Sequence, residues 1–366
     1  VFAGLELINE KINAGMSFDG AWESTHKEVV FTTHTPIEAG NESHNIEAIT
    51  YMGANLGFSA EQMSRLGGVP FNMTVAALRL SKISNAVSKL HTETANKMWA
   101  KTENRSKIIG ITNAIHVGTW VDERMRKNFL GLDEIWDNHQ EIKKELIDFV
   151  EKRCRVRLNL NALLIGFSRR AAAYKRSDLI FKDEKRLERY LKERKVQIIF
   201  SGKTHPLNTI GKKIVLHLVE MSRKYPNSVV FMENYDMEIG QMLTRGCDVW
   251  LNNPRRPNEA SGTSGMKAAM NGVLNCSILD GWWEEACKDS INGWAVGDKN
   301  IPESIEEQDE RDAKALYNTL FEKVLPTYYD HHQKWLEMMK ESIESTKTFF
   351  SIDRMIDDYY ELLYKK

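Results

Sequence analysis

The chain has 366 residues, 42% of them hydrophobic, and a formal net charge of −1. That length buries a large core and predicts two domains, while the near-neutral balance excludes nucleic acid or an anionic membrane recognised by bulk charge. No apolar run reaches the roughly 18 residues that span a bilayer, and four cysteines without a Cys-x-x-Cys pair fit a reducing compartment, so the expected location is cytoplasmic.

The chain opens on Val1 and enters at once an amphipathic helix, Phe2 to Ile12, which reads as the interior of a longer protein whose upstream domain is incomplete. Beyond it, short β-branched runs alternate with longer amphipathic ones, the pattern of βα units around a parallel sheet. A strand is predicted over 28–33, a helix over 72–100 and a strand over 107–112. Four further pairs follow: helix 134–152 and strand 163–167, helix 183–193 and strand 196–200, helix 210–224 and strand 229–232, helix 237–245 and strand 249–251. A helix over 266–271, a strand over 273–278 and a helical tail over 309–364, broken at Pro326 and near Ser351, complete the reading.

Polar clusters fall where an α/β protein places its ligand. Residues 168–176, 201–208, 233–236 and 252–267 each follow a predicted strand, and in an open parallel sheet the crevice beyond the carboxyl ends of the strands is the binding mouth. The last cluster ends in Glu259-Ala-Ser-Gly-Thr-Ser-Gly-Met-Lys267. Gly262 and Gly265 let the backbone approach an anion, Thr263 or Ser264 can cap, and first-turn N–H groups point at a phosphate. Lys267 follows among Met266, Ala268, Ala269 and Met270, and apolar neighbours push an ammonium toward the neutral amine that attacks an aldehyde. Pyridoxal phosphate is therefore a candidate cofactor; a capped turn with a solvated lysine is the plain alternative.

The first cluster carries Arg169, Arg170, Lys175 and Arg176 beside Tyr174, either a solvated basic face or a set of cations converging on phosphate. Glu259, eight residues before Lys267, suits a sugar hydroxyl or a helix cap. Asn113 ends a predicted strand where the first half of the molecule hands over to the second; a turn role is its alternative. His34 follows a strand and precedes Pro36, so it lines the crevice or sits in a core. Trp282 and Trp283 stack on sugar rings or pack inside. No His-Glu-x-x-His pair occurs, and the adjacent His331 and His332 point to different sides of a helix, so no metal site is expected.

In chain order, Phe31-Thr-Thr-His-Thr-Pro36, Asn72-Met-Thr74, Thr112-Asn-Ala-Ile-His-Val-Gly-Thr-Trp120, Gly166-Phe-Ser-Arg-Arg-Ala-Ala-Ala-Tyr-Lys-Arg176, Glu233-Asn-Tyr-Asp-Met-Glu238 and Asp248-Val-Trp-Leu-Asn-Asn-Pro-Arg-Arg-Pro257, running into 259–267, resemble one family. It is the α-glucan (glycogen, starch or maltodextrin) phosphorylases, in their shorter bacterial and archaeal branch. The resemblance implies an α/β fold of glycosyltransferase-B type: two Rossmann-like domains, the first incomplete over 1–113 and the second over 114–366 with terminal helices. It also implies phosphorolysis of the non-reducing terminal glucose of an α-1,4-glucan by inorganic phosphate, giving α-glucose 1-phosphate with retained configuration. Lys267 matches the lysine that holds pyridoxal 5'-phosphate, and Thr263, Ser264, Gly265 and Arg169 match its phosphate cradle. Arg170 and Lys175 match cations on the substrate phosphate. Glu259, Ser261, Gly262 and Tyr174 match contacts to glucose, Asn113 and Tyr235 neighbours of sugar and cofactor, and His34 joins the substrate set.

Two departures stand out. Lys82 occupies the place of a sugar-contacting histidine, which removes the expected partner of the glucose 6-hydroxyl. The family's upstream glycine loop over the phosphate site is absent, so the chain by itself is expected not to turn over efficiently. A homo-oligomer of the full-length protein is a possible assembly, with no nucleic acid and no membrane partner. Two rivals remain: a nucleotide-sugar-dependent glycogen synthase-like glycosyltransferase, which typically carries a second glutamate where Lys267 stands, and a non-catalytic glucan-binding fragment. An amino-acid enzyme using the same cofactor is the weakest alternative, since spacing picks out no acidic partner for the pyridine nitrogen.

Overall fold

Apolar runs punctuated by polar loops become parallel strands in the computed structural model, which describes residues 1–127 and 129–365. The chain divides into two units, Val1–Asn113 with Pro257–Ser261 and Met355–Lys366, and Ala114–Arg256 with Gly262–Arg354. The short returns 257–261 and 355–366 thus cluster with the first unit, although the division implied by the resemblance puts them in the second.

The first unit holds β1 (Val30–Thr32), β2 (Ser43–His44), β3 (Phe71–Asn72), β4 (Ile83–Ala86) and β5 (Lys107–Gly110). Strands β1, β4 and β5 form a parallel sheet with β4 in the middle, and β2 pairs with β3 antiparallel. The helix expected over 72–100 is not one element. It splits into helices Met73–Leu80 and Lys89–Met98 around β4. Ser81 turns the chain extended, and Ser88 restarts the helix by accepting the His91 N–H at 3.1 Å. The intervening Ser84 and Asn85 are fully buried. Helices Phe18–His26, Ile46–Tyr51 and Ala60–Gly67 also lie outside the expected set.

The second unit is built on six parallel strands: β6 (Leu163–Ser168), β7 (Val196–Ser201), β8 (Val229–Met232), β9 (Val249–Asn252), β10 (Leu274–Ile278) and β11 (Gly293–Val296). Their order is β11-β10-β9-β6-β7-β8, so the direction of winding reverses between β6 and β9. Both faces are covered, because alternate residues of a strand point to opposite sides. Leu163, Ile165 and Phe167 join one apolar cluster while Leu164 joins another with Ile199, Met232 and Trp250. The edge strand β11 is absent from the sequence reading, and Pro326 does not break the tail. A π-helical stretch, Thr319–Val324, runs without interruption into Leu325–Asp330, so the helical path continues through Pro326; the break falls at His331. No helix among the described residues is long and apolar enough to cross a membrane.

Candidate active site

Where winding reverses, a crevice opens at the carboxyl ends of the strands. In the second unit, the loops after β6 and β9 flank that point. The β9 loop ends at Gly262, whose φ of 84° and ψ of 45° are left-handed, and helix Thr263–Met270 begins there. Neither Thr263 nor Ser264 caps this helix, contrary to expectation: Gly262 is the N-cap and supplies no side chain. Ser264 Oγ instead accepts the Trp250 indole N–H at 3.2 Å. The helix thus begins with the positive end of its dipole and no capping oxygen from its own N-cap residue. Gly265 seats the helix on β10; a Cβ there would lie 2.6 Å from Asn275 Oδ1 and 2.7 Å from the Trp282 indole nitrogen. Asn275 donates to the Gly265 carbonyl at 3.0 Å, while its Oδ1 is buried with no hydrogen-bond partner among the described residues.

Lys267 lies one turn in. Its Nζ stands 3.2 Å from the ring centroid of Trp120, and burial lowers its pKa from 10.5 to about 8. Two effects oppose each other here. An indole face favours the ammonium by about 0.5–2 kcal/mol, whereas a shift of that size corresponds to roughly 3 kcal/mol, so desolvation wins. Near neutral pH the neutral amine is therefore far more populated than for an unperturbed lysine. Tyr235 shares this neighbourhood through Gly240, where a Cβ would fall 2.6 Å from the tyrosine hydroxyl and 3.6 Å from the Trp120 ring. Burial first, then Asp236, raises the Tyr235 pKa.

On the β6 side, Ser168 Oγ is buried and lacks a partner among the described residues. Arg169 donates to Asn252 Oδ1, and the Asn252 amide donates to Ser277 Oγ at 3.2 Å, so β9 and β10 orient this guanidinium. Gly202 admits the Arg169 carbonyl, which a Cβ would meet at 2.0 Å. Arg170 is exposed; Lys175 is buried, its Nζ 4.5 Å from the Tyr174 ring centroid. Arg176 is no part of a cation set for phosphate. It is buried, pairs with Asp309 at 2.9 Å and Asp312 at 2.7 Å, and donates to the Asn253 and Pro254 carbonyls, tying the β6 loop to the β9 loop.

The chain matches the carbohydrate phosphorylase family over residues 123–290. It is 37% identical to a maltodextrin phosphorylase of Thermococcus litoralis, covering 100% of this chain and 50% of that protein. It is 36% identical to a glycogen phosphorylase of Aquifex aeolicus, with 100% and 61% covered, and 32% identical to one of Mycobacterium tuberculosis, with 99% and 50% covered. The chain belongs to the carbohydrate phosphorylase family. It spans about half the length of the curated relatives it matches.

Within this phosphorylase chain, the remaining expected site residues belong to the first unit. His34 follows the carboxyl end of β1, and Asn113 follows β5 with its N–H on the Val87 carbonyl at 3.0 Å. Glu259 and Ser261 are buried, and Ser261 Oγ has no hydrogen-bond partner among the described residues. Lys82 precedes β4, and its N–H bonds the Val29 carbonyl, so it stands at the amino end of the sheet, opposite His34 and Asn113. Trp282 and Trp283 are core residues, at 1% and 0% exposure, and offer no face to a sugar. Sequence reasoning missed Trp120 as a site residue. Its signal was present, since Trp120 ends a motif beginning at Thr112, but nothing local says that a four-residue helix delivers it to Lys267.

Proposed function

We propose that this phosphorylase chain carries the cofactor-bearing part of an α-1,4-glucan phosphorylase with a glycosyltransferase-B architecture, the six-stranded sheet being its second Rossmann-like domain. The substrates are a glycogen- or maltodextrin-like α-1,4-glucan and inorganic phosphate; the product is α-glucose 1-phosphate with retained configuration. One observation supports this above the others. An amine lowered to about 8 stands on an indole face, one turn inside a helix whose start bears no side-chain cap.

The residues present fit pyridoxal 5'-phosphate. Lys267 holds the aldehyde; the open helix start at Thr263, Ser264 and Gly265, with Arg169, takes the phosphate; Tyr235 and Trp120 wall the ring. The unpartnered Ser168 Oγ and Asn275 Oδ1 are polar atoms of the kind a bound group satisfies. When bound, the cofactor's phosphate, with a second pKa near 6, supplies proton transfer at neutral pH. Arg170 and Lys175 bring inorganic phosphate to it against a repulsion of about 4 kcal/mol per charge pair at 4 Å and an effective dielectric near 20. Glu259, Ser261, Gly262 and Tyr174 are assigned to the terminal glucose, and Asn113 and His34 to the substrate set.

Borohydride reduction after incubation with pyridoxal 5'-phosphate, followed by peptide mapping, tests the reading. Label is expected on Lys267 and is expected to vanish in Lys267→Met; label on another lysine, or none, overturns it.

A further inference from the structure

The turn that delivers Trp120 is only four residues long, Val117–Trp120. A single helical turn does not hold itself in water, so its place must be fixed from outside. Three side chains do so by donating to its carbonyls. Gln241 donates to Thr119 at 2.9 Å, and Arg245 donates to Thr119 at 2.9 Å and to Trp120 at 3.2 Å. The third is Asn271, fully buried at the end of the Lys267 helix. Its amide nitrogen donates to the Trp120 carbonyl at 3.1 Å and to the Lys267 carbonyl at 2.7 Å, and its Oδ1 accepts the Asp122 N–H at 2.9 Å.

We propose that Asn271 is a positioning residue, holding the indole face of Trp120 against the Lys267 amine by bonding the main chain of both residues at once. The side-chain type is specific to the task. An amide offers two donors and an acceptor, a serine hydroxyl one donor, and an ionised aspartate none. Gln241 and Arg245 reach the Trp120 turn from another helix, Met237–Gly246; Asn271 alone of the three belongs to the helix that carries the amine. Without it the turn keeps its Gln241 and Arg245 bonds but loses its tie to the Lys267 helix, so the indole gains room to shift from Nζ and water gains access to it. Rehydration moves the amine toward its ordinary pKa, and the lost indole contact moves it the other way by a smaller amount, so the net change is upward.

The inference rests on Lys267 being the reactive amine, but its test needs no cofactor. Acetylation of Lys267 in the unliganded chain, followed by mass spectrometry across pH 6 to 11, gives the titration of the amine. A midpoint near about 8 is expected for the unaltered chain. Asn271→Ala is expected to raise it by about one unit or more, cutting the neutral amine at pH 7.5 about tenfold. Ser342→Ala serves as the control, since it removes another fully buried side-chain bond to the same helix, at the Ala269 carbonyl, without touching Trp120. It is expected to leave the profile in place. A folded Asn271→Ala chain with an unmoved profile, or an equal shift in Ser342→Ala, overturns the proposal. Should Asn271→Ala not fold, Asn271→Ser keeps a hydroxyl for the Lys267 carbonyl four residues back but falls short of Trp120. An upward shift there supports the assignment and an unmoved profile overturns it. The borohydride label can persist on Lys267 whichever way this result falls, so the two failures are separable.

Discussion

Strands β4 and β6 each run inside a parallel sheet and are shielded from water, yet they are made of different material. β6 offers Leu163, Leu164, Ile165 and Phe167 to two apolar clusters. β4 offers Ser84 and Asn85, both at 0% exposure. The Ser84 and Ser106 hydroxyls meet at 2.6 Å; Asn85 accepts from Thr32 Oγ1 at 2.7 Å and donates to the Tyr359 hydroxyl at 3.2 Å. Burial demands satisfied atoms, and apolar atoms are only the simplest way to meet that demand. The second unit has its own buried polar group, but it is ionic. Lys143 Nζ bonds Asp248 Oδ2 at 2.6 Å, the Ala162 carbonyl at 2.8 Å and the Tyr328 hydroxyl at 3.0 Å, and His139 meets the other Asp248 oxygen at 2.9 Å. Burial alone would push the Asp248 pKa up; Lys143 and His139 together bring it below the ordinary value.

Breaking the ionic cluster is the largest expected effect. Lys143→Met leaves Asp248 buried without its cation and is expected to cost about 3–5 kcal/mol. Hydrogen exchange of the β6 and β9 peptides should accelerate, while β1 and β4 peptides stay as they were. Adding Asp248→Asn to Lys143→Met should recover much of the loss, because the orphaned charge goes with it.

Acid provides the converse, an attack on the first unit. His91 is fully buried, and desolvation first, then repulsion from His34, lowers its pKa from 6.5 to about 4. The unfolded chain binds this proton at a higher pH than the folded one, so stability falls as pH drops from about 6.5 to about 4 and the loss is complete below that. The window corresponds to on the order of 3 kcal/mol. Exchange of β4 and helix Lys89–Met98 followed from pH 7 to 4 checks it, and His91→Gln is expected to flatten the dependence.

The same contrast explains what could be read from sequence. β6 to β10 were legible because a strand buried among apolar groups is a run of apolar residues. β4 was not, since Ile83-Ser-Asn-Ala86 looks like the polar stretch of a helix until Ser106, Thr32 and Tyr359 arrive from elsewhere in the chain. The site divides likewise. Lys267 and its helix were legible from glycine spacing, with the start misplaced from 263 to 266 because the Gly262 conformation is invisible locally. Trp120 and the Asn271, Gln241 and Arg245 contacts were not, because each joins segments more than 100 residues apart. Arg176 misleads in the opposite sense, a cation in a basic run whose partners Asp309 and Asp312 lie 133 and 136 residues away.

The smallest expected effect is the sharpest test of whether the β4 core is held by partnership. Ser84→Ala strands the Ser106 hydroxyl, and Ser106→Ala strands that of Ser84, so each single change is expected to cost about 1–3 kcal/mol. The double change removes both polar groups and leaves two methyl groups facing each other, an arrangement that is nearly neutral when shape is kept. A coupling of about 1 kcal/mol or more, with the double variant no less stable than either single one, is therefore expected from urea unfolding followed by exchange of the β4 and β5 peptides. Additive losses would mean that the two hydroxyls are satisfied independently, and the contrast with β6 would then be one of composition only.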